Sequence, residues 1–337
     1  VVLLPIRLKE LLVGIETMDT QGTYRALCEQ EESIPLFSQA WWLDAVAPDS
    51  WSAVLAYQGD RIVGALPYTK RKKAGLTLVS QPQLTQTLGP WIRPSNKSYS
   101  KALGYEKDVL QALAQGLPRF HYYAQNWHWS RQNWLPFYWL GFEQTTRYTY
   151  RLECSKGEQC LRDNLQQNIR GDIRKAQNRK AITVRPAENL EEFLSLNRMT
   201  FERQGKSLPY TQKLIERIDE KAVSLNARDC FIAVDADGRQ HAGAYIVRNG
   251  DIAYYLMGGG DPQLRQSGAT SLLLWEAIRN QPDAIKYFDF EGSMLEPVER
   301  FFRAFGAQQT PYFRVTKTDS RALQLSMQLR KTFGTSH

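Results

Sequence analysis

The stretch YFDFEG (287–292) sets two carboxylates two positions apart with aromatic residues before and between them. Successive side chains of a strand point to opposite faces, so Tyr287, Asp289 and Glu291 share one face while Phe288 and Phe290 take the other. Acids on the less apolar face of a central strand are paired or used. The pattern therefore predicts proton transfer by Glu291 at the strand's end, with an ion pair to a neighbouring arginine as the alternative, and a structural role for Asp289. A second candidate lies upstream. DIAYYLMGGG (251–260) reads as a strand ending in three glycines, and Arg265, Gln266, Ser267, Gly268, Ala269 and Thr270 lead from it into the apolar helix SLLLWEAIRN. The first amides of a helix have no intrahelical acceptor and carry positive partial charge, so such a turn can hold phosphate. Gly268, without a Cβ, would let the backbone approach an anion closely; a plain strand-to-helix turn is the alternative.

The elements that must position these residues follow from periodicity. Across 156–180, Leu161, Leu165, Ile169, Ile173 and Ala176 mark one apolar helix face, with Arg170 and Arg174 opposite and Lys175, Arg179 and Lys180 beyond. That basic face is either simply solvated or turned towards an anion. A strand (AITVRPA), helices over 190–204 and 210–223, and the strands CFIAVDADG and HAGAYIVRNG come next, with Asp237-Gly238 as a hairpin signal. After the glycine-ended strand and its helix stand IKYFDFEG, the helix PVERFFRAFG and the strand TPYFRVTK, giving the order β-α-α-β-β-β-α-β-α-β.

The N-terminal half takes a similar course: the helix FSQAWWLDAVA, the hairpin WSAVLAYQG and DRIVGALPYTK, the helix DVLQALAQGL, the strand RFHYYAQNW, the helix NWLPFYWLGF and the strand TRYTYRLE. No glycine-rich loop precedes DVLQALAQGL. The halves also share short motifs in the same order, GDRIVGA with GRQHAGA and GFEQT with GAQQT, which predicts two related domains in tandem. The expected division is 1–152, 153–320 and a C-terminal helix or tail at 321–337. A length of 337 residues fits two domains.

Composition bounds the function. The net charge of +8 favours anionic partners such as phosphates, nucleotides, tRNA or acidic lipid headgroups, and Lys70 to Lys73 at a hairpin tip are either solvated or touch phosphate or a membrane surface. Four cysteines and four histidines show no metal-ligand spacing, so no metal site is expected. No run of about 18 apolar residues occurs, and the opening VVLLPIRLKELLVGI, broken by charges, reads as a strand and helix rather than a secretory signal; a cytoplasmic protein is the expectation.

The block GGGDPQLRQSGATSLLLWEAI, then YFDFEGS and ERFFRAFG, together with the WWLDAV, VGALP, QTLGPWI, IRGDIRKA and FERQGKSLP segments, resembles the tandem-domain branch of the GNAT acyltransferases. That branch includes the Fem-type aminoacyltransferases of peptidoglycan and the FemAB-like acetyltransferases of bacterial polysaccharide gene clusters. The resemblance implies an α/β (α+β) fold of two GNAT-like domains, each a mixed, largely antiparallel sheet flanked by helices, the first degenerate and on the acceptor side. It implies N-acyl transfer from acyl-CoA, such as acetyl-CoA, to an amine of a cell-envelope or polysaccharide precursor, at most at the inner face of the membrane. Aminoacyl-tRNA as donor to a peptidoglycan peptide is the first alternative, and a non-catalytic binding module the second. The partners so implied are a small-molecule or lipid-linked amine acceptor, with tRNA and peripheral membrane contact admitted and DNA not.

The resemblance also assigns residues. The donor would run along Met257 and Gly258 to the 265–270 loop, where Thr270 replaces the usual Gly or Ala. Glu291, at the strand end facing the splay between the fourth and fifth strands where the family's donor lies, becomes the base; Arg303 in FFRAFG becomes the cation for an oxyanion or phosphate, because Phe302 occupies the position of the family's lysine. Arg203, Tyr210, Tyr254 and Tyr255 are the acceptor candidates, and Trp129 a groove-lining one.

Overall fold

The computed structural model describes residues 11–14, 20–292, 294–320 and 323–324. The expected opening strand and helix and the C-terminal tail lie almost wholly outside them. The chain divides into two compact units, one of residues 1–147 and 312–337 and the other of residues 148–311, against the boundaries near 152 and 320 expected from the sequence.

The first unit contains β1 (Leu11–Gly14), α1 (Thr20–Gln30), α2 (Ala40–Val46), β2 (Trp51–Gln58), β3 (Arg61–Lys73), β4 (Leu76–Ser80), β5 (Trp91–Ile92), α3 (Tyr99–Gln115), β6 (Tyr122–Asn126) and α4 (Leu135–Trp139). Its strands pair antiparallel except β4 and β6, which are parallel and joined through α3. The core is aromatic: Tyr123, Trp127, Phe137 and Phe142 meet edge-on or tilted over Val109, Leu110 and Leu113 of α3.

A long strand, β7 (Glu143–Glu153), carries the chain into the second unit, which holds α5 (Glu158–Asn164), α6 (Gln167–Arg174), β8 (Thr183–Pro186), α7 (Leu190–Glu202), α8 (Gln212–Ser224), β9 (Arg228–Val234), β10 (Gln240–Asn249), β11 (Ile252–Gly260), α9 (Ala269–Arg279), β12 (Tyr287–Asp289) and α10 (Glu296–Arg303); β13 (Gln308–Thr318) leads out. Strands β8 to β11 are antiparallel, and β11 and β12 are the one parallel pair here, joined through α9. Both units thus repeat one plan, antiparallel hairpins followed by a parallel crossover. The shared GxxxxGA motif opens on the turn glycine in each, Gly59 and Gly238, both left-handed.

The sequence assigns TRYTYRLE to close the first domain and TPYFRVTK the second. The pairings are the reverse: β7 is antiparallel to β12, and β13 antiparallel to β6. Burial explains the exchange. Tyr150 and Leu152, late in β7, pack into the second unit's core, while Val315, late in β13, packs into the first unit's.

The helix expected over 156–180 is also not continuous. Its apolar residues are all buried, but Leu165 and Gln166 are extended, with ψ of 133° and 158°, and separate α5 from α6. The break lets the Gln166 amide donate to the Ala304 carbonyl at 2.9 Å, fastening the segment to the end of α10; a π-helical turn, Lys175–Arg179, follows α6.

Candidate active site

The parallel pairing of β11 and β12 covers only three residue pairs, ending at Tyr254 opposite Asp289. Beyond it β11 continues along β10 to Gly260 while β12 stops, so a gap opens between the two strands. The register on the β10 side slips here as well: Tyr255 lies opposite Ile246 and Met257 opposite Tyr245, leaving Leu256 as a bulge. A bulged residue is left out of the ladder, so Leu256 interrupts the β10–β11 pairing two residues beyond the last β11–β12 pair. Sequence reasoning missed this residue, because a bulge leaves no compositional trace in YYLM.

Asp289 marks the mouth of the gap. It is 3% exposed, accepts a hydrogen bond from the Thr149 hydroxyl and another from the Glu291 amide at 2.8 Å, and has Arg151 Nε at 3.9 Å. Arg151 is its register partner on β7 and lies over the Tyr287 ring at 4.4 Å. Burial outweighs these attractions and raises the Asp289 carboxyl to about 6. The ion pair expected as the alternative for Glu291 is made instead by Asp289, with Arg151.

Glu291 leaves the strand. The alternation holds through Phe290, 1% exposed in the core, and ends at Glu291, whose φ of +58° places it in the left-handed region with Gly292 after it. A non-glycine residue there is sterically costly, and the Asp289 bond to its amide helps to hold it. The turn fits because a Cβ on Gly292 would lie 2.1 Å from the Tyr148 carbonyl. The residue is half-buried, yet its Oε1 is shut off from solvent, and burial followed by the Asp289 charge drives its carboxyl well above the usual range. Tyr254, register partner of Asp289, is buried beside both acids, and its phenol is pushed up first by that burial and then by the Asp289 charge.

Other predicted residues form a second group at the glycine end of β11. The Tyr210 hydroxyl donates to Asn197 Oδ1 at 2.9 Å, and Asn197 Nδ2 to the Gly258 carbonyl at 2.7 Å. Burial lifts the Tyr210 phenol to about 12. A Cβ on Gly259 would lie 2.5 Å from the Asn197 amide, so this glycine lets α7 rest directly on the strand. The Tyr255 hydroxyl covers Gly258, and Met257 is buried. Arg203 caps the end of α7, exposed.

The 265–270 loop differs from its expected use. Gly268 is left-handed, φ +82°, but a Cβ there would lie 2.3 Å from the Asp172 carbonyl of α6, so its bare Cα accommodates a helix and not an anion. Ser267 also turns inward: its hydroxyl meets His241 Nδ1 at 3.0 Å and accepts the Ala269 amide at 3.3 Å, while His241 Nε2 lies 3.0 Å from Asp235 Oδ2. The hydrogen bond from His241 holds the Asp235 carboxyl well below the usual range. This buried Asp235–His241–Ser267 chain supplies the cap that Gly268 cannot, and the distance between its members in sequence hid it. Arg265, Gln266 and Thr270 are exposed on the outer side of the loop, and its inward side is filled.

Two further assignments are changed by their surroundings. Arg303 is 54% exposed and paired with Glu299 at 2.8 Å, an acid that also accepts from the Tyr150 hydroxyl. Phe302 is buried and stacks on Phe290 at 4.8 Å, which is why no lysine stands there. Trp129 belongs to the first unit, half-buried with its ring 4.6 Å from that of His128.

Residues 163–320 match the family described as an acetyltransferase (GNAT) domain. The chain carries a GNAT acetyltransferase domain. The fold of the chain is that of a tandem GNAT protein. Among solved structures, FemX superposes with a TM-score of 0.64 at 14% identity, over 89% of this chain and 96% of that one. The tandem GNAT protein from the clavulanic acid biosynthesis pathway gives 0.53 at 13%, over 92% and 99%, and a conserved protein from Bacteroides thetaiotaomicron 0.54 at 12%, over 91% and 99%. These likenesses concern the fold. No curated protein matches the sequence. Among the described residues no helix is long and apolar enough to cross a membrane.

Proposed function

We propose that this GNAT-fold transferase moves an acyl group from acyl-CoA, acetyl-CoA first among candidates, to an amine of a cell-envelope or polysaccharide precursor. The observation that carries the reading is the end of the β11–β12 pairing at Tyr254 and Asp289, two residues before the Leu256 bulge and beside the buried carboxyls of Asp289 and Glu291. The bound thioester would supply an activated carbonyl. The acceptor nitrogen forms the new C–N bond there, and the C–S bond breaks.

The chain's residues have separate tasks. The main-chain amide at the Leu256 bulge is the donor for the oxyanion. Glu291, its basicity raised by burial, takes the proton that the amine releases. Asp289, held by Thr149 and Arg151, fixes the Glu291 amide and is a positioning residue. Arg265 and Thr270, with the first-turn amides of α9, hold the donor's pyrophosphate, and the Tyr210–Asn197 pair shapes the glycine end of β11. Mass spectrometry of the native protein for bound coenzyme A, followed by an acyl-donor screen with amino sugars, tests the reading. Turnover with aminoacyl-tRNA alone would replace the donor, and binding of neither donor would leave a binding module.

A further inference from the structure

The basic face of α6 takes no part in the site just described. Arg170 and Arg174, one turn apart, line a groove of 540 Å³ between α5, α6 and the second half of α9, where Arg162 of α5 joins them. All three are exposed, and among the described residues none of their guanidinium groups has an ion-pair or hydrogen-bond partner. Arg279 on the α9 wall differs. It is held by Glu276 at 2.8 Å and by Glu158 at 3.5 Å, so the two acids of the groove are already engaged. Three like charges remain around one concavity without a counter-charge, an arrangement relieved by a bound anion.

The geometry narrows the class of anion. Guanidinium groups present planar forks that match phosphate oxygens two at a time, and three of them from two helices suit more than one phosphate. The floor is apolar, formed by the buried Leu165, Ile173 and Trp275, and the amide side chains of Gln167 and Gln177 line the same groove. Gln177 sits on the π-helical turn after α6, a distortion that recurs at functional sites. The volume is that of a small-ligand pocket. The donor loop precedes α9, whereas the groove uses Trp275, Glu276 and Arg279, about 9 Å or more further along the helix at 1.5 Å per residue.

We propose that this groove is a binding site for an organic diphosphate of the nucleoside diphosphate class, separate from the acyl-donor site. The phosphates lie among Arg162, Arg170 and Arg174, and the organic part lies on the apolar floor. Titration calorimetry of the whole chain with ADP and with inorganic pyrophosphate tests it. The expected result is one ADP site, tighter than pyrophosphate, that weakens about tenfold or more in Arg170→Gln/Arg174→Gln and stays unchanged in Arg265→Ala, since each charged hydrogen bond contributes well over a factor of ten. Thermal unfolding should be unaltered, because these side chains are exposed. If the double variant unfolds, Arg162→Gln on the other helix decides in the same way. No ADP binding by the native chain, equal affinity in the arginine variants, or the same loss in Arg265→Ala would overturn the proposal.

Discussion

Replacing Gly268 by valine separates two accounts of the loop before α9. If the bare Cα faced a bound pyrophosphate, the variant would fold normally and lose donor binding. The structure predicts a folding defect instead. A β-branched residue at φ +82° pays about 1–2 kcal/mol for the left-handed backbone, and a Cβ 2.3 Å from the Asp172 carbonyl adds about 1–3 kcal/mol of overpacking. The sum, about 2–5 kcal/mol, corresponds to a fall in melting temperature of about 5–20 °C for a domain of this size. Gly238→Val is the control: its φ is +79°, but nothing lies within 4 Å of its Cβ position, so only the backbone cost applies. Calorimetric melting of the two variants beside the native chain gives the answer. A Gly268→Val protein that melts no lower than Gly238→Val, yet no longer binds coenzyme A, would refute the packing role.

Three other expectations follow from the same geometry. Asp289 rises from 3.8 to about 6 on folding, so its contribution is full below pH 3.8 and is lost as pH climbs through 6; native stability should fall by up to about 3 kcal/mol over that window, with Glu291 adding to the slope. Asp289→Asn should flatten the curve, and urea midpoints that are equally steep in both proteins would contradict the assignment. Ser267→Ala removes the cap on Ala269 and the partner of His241, for an expected loss of about 1–2 kcal/mol and a raised KM for the donor with kcat little changed; an unchanged urea midpoint would mean the chain through His241 does not brace the loop. Arg303→Ala breaks an exposed pair one turn long and should leave the melting temperature unchanged and lower turnover by less than about twofold, whereas a tenfold loss of kcat would return Arg303 to the chemistry.

Much of this was written locally in the sequence. The apolar helical faces, the DG turn and the glycine-ended strand each depend on neighbours within a few residues, and they formed where periodicity placed them, save for the break after Asn164. What the sequence concealed depends on distant partners. Nothing in TRYTYRLE or TPYFRVTK says which of two similar sheets each will join, since Tyr150 and Val315 find their cores only in three dimensions. Leu165 looks like any helical leucine until the Ala304 carbonyl takes the next amide. Within the site, the paired carboxylates were visible as alternation, but their difference was not: Asp289 gains Arg151 and Thr149 from β7, and Glu291 turns out of the strand against that same strand's backbone. A close approach does occur at Gly268, but the group that approaches is the Asp172 carbonyl.

The central claim is that Glu291 carries the proton transfer at the gap between β11 and β12, and Glu291→Gln in single-turnover acyl transfer tests it most directly. Glutamine keeps the shape and the backbone N–H hydrogen bond to the Asp289 carboxylate while removing the base. The account predicts normal melting and coenzyme A affinity, a rate lowered by about 10²–10⁴, and a native pH–rate profile that rises as the buried carboxyl ionises, a rise the variant lacks. A variant with near-native rates, or one whose loss follows a lowered melting temperature, would contradict it.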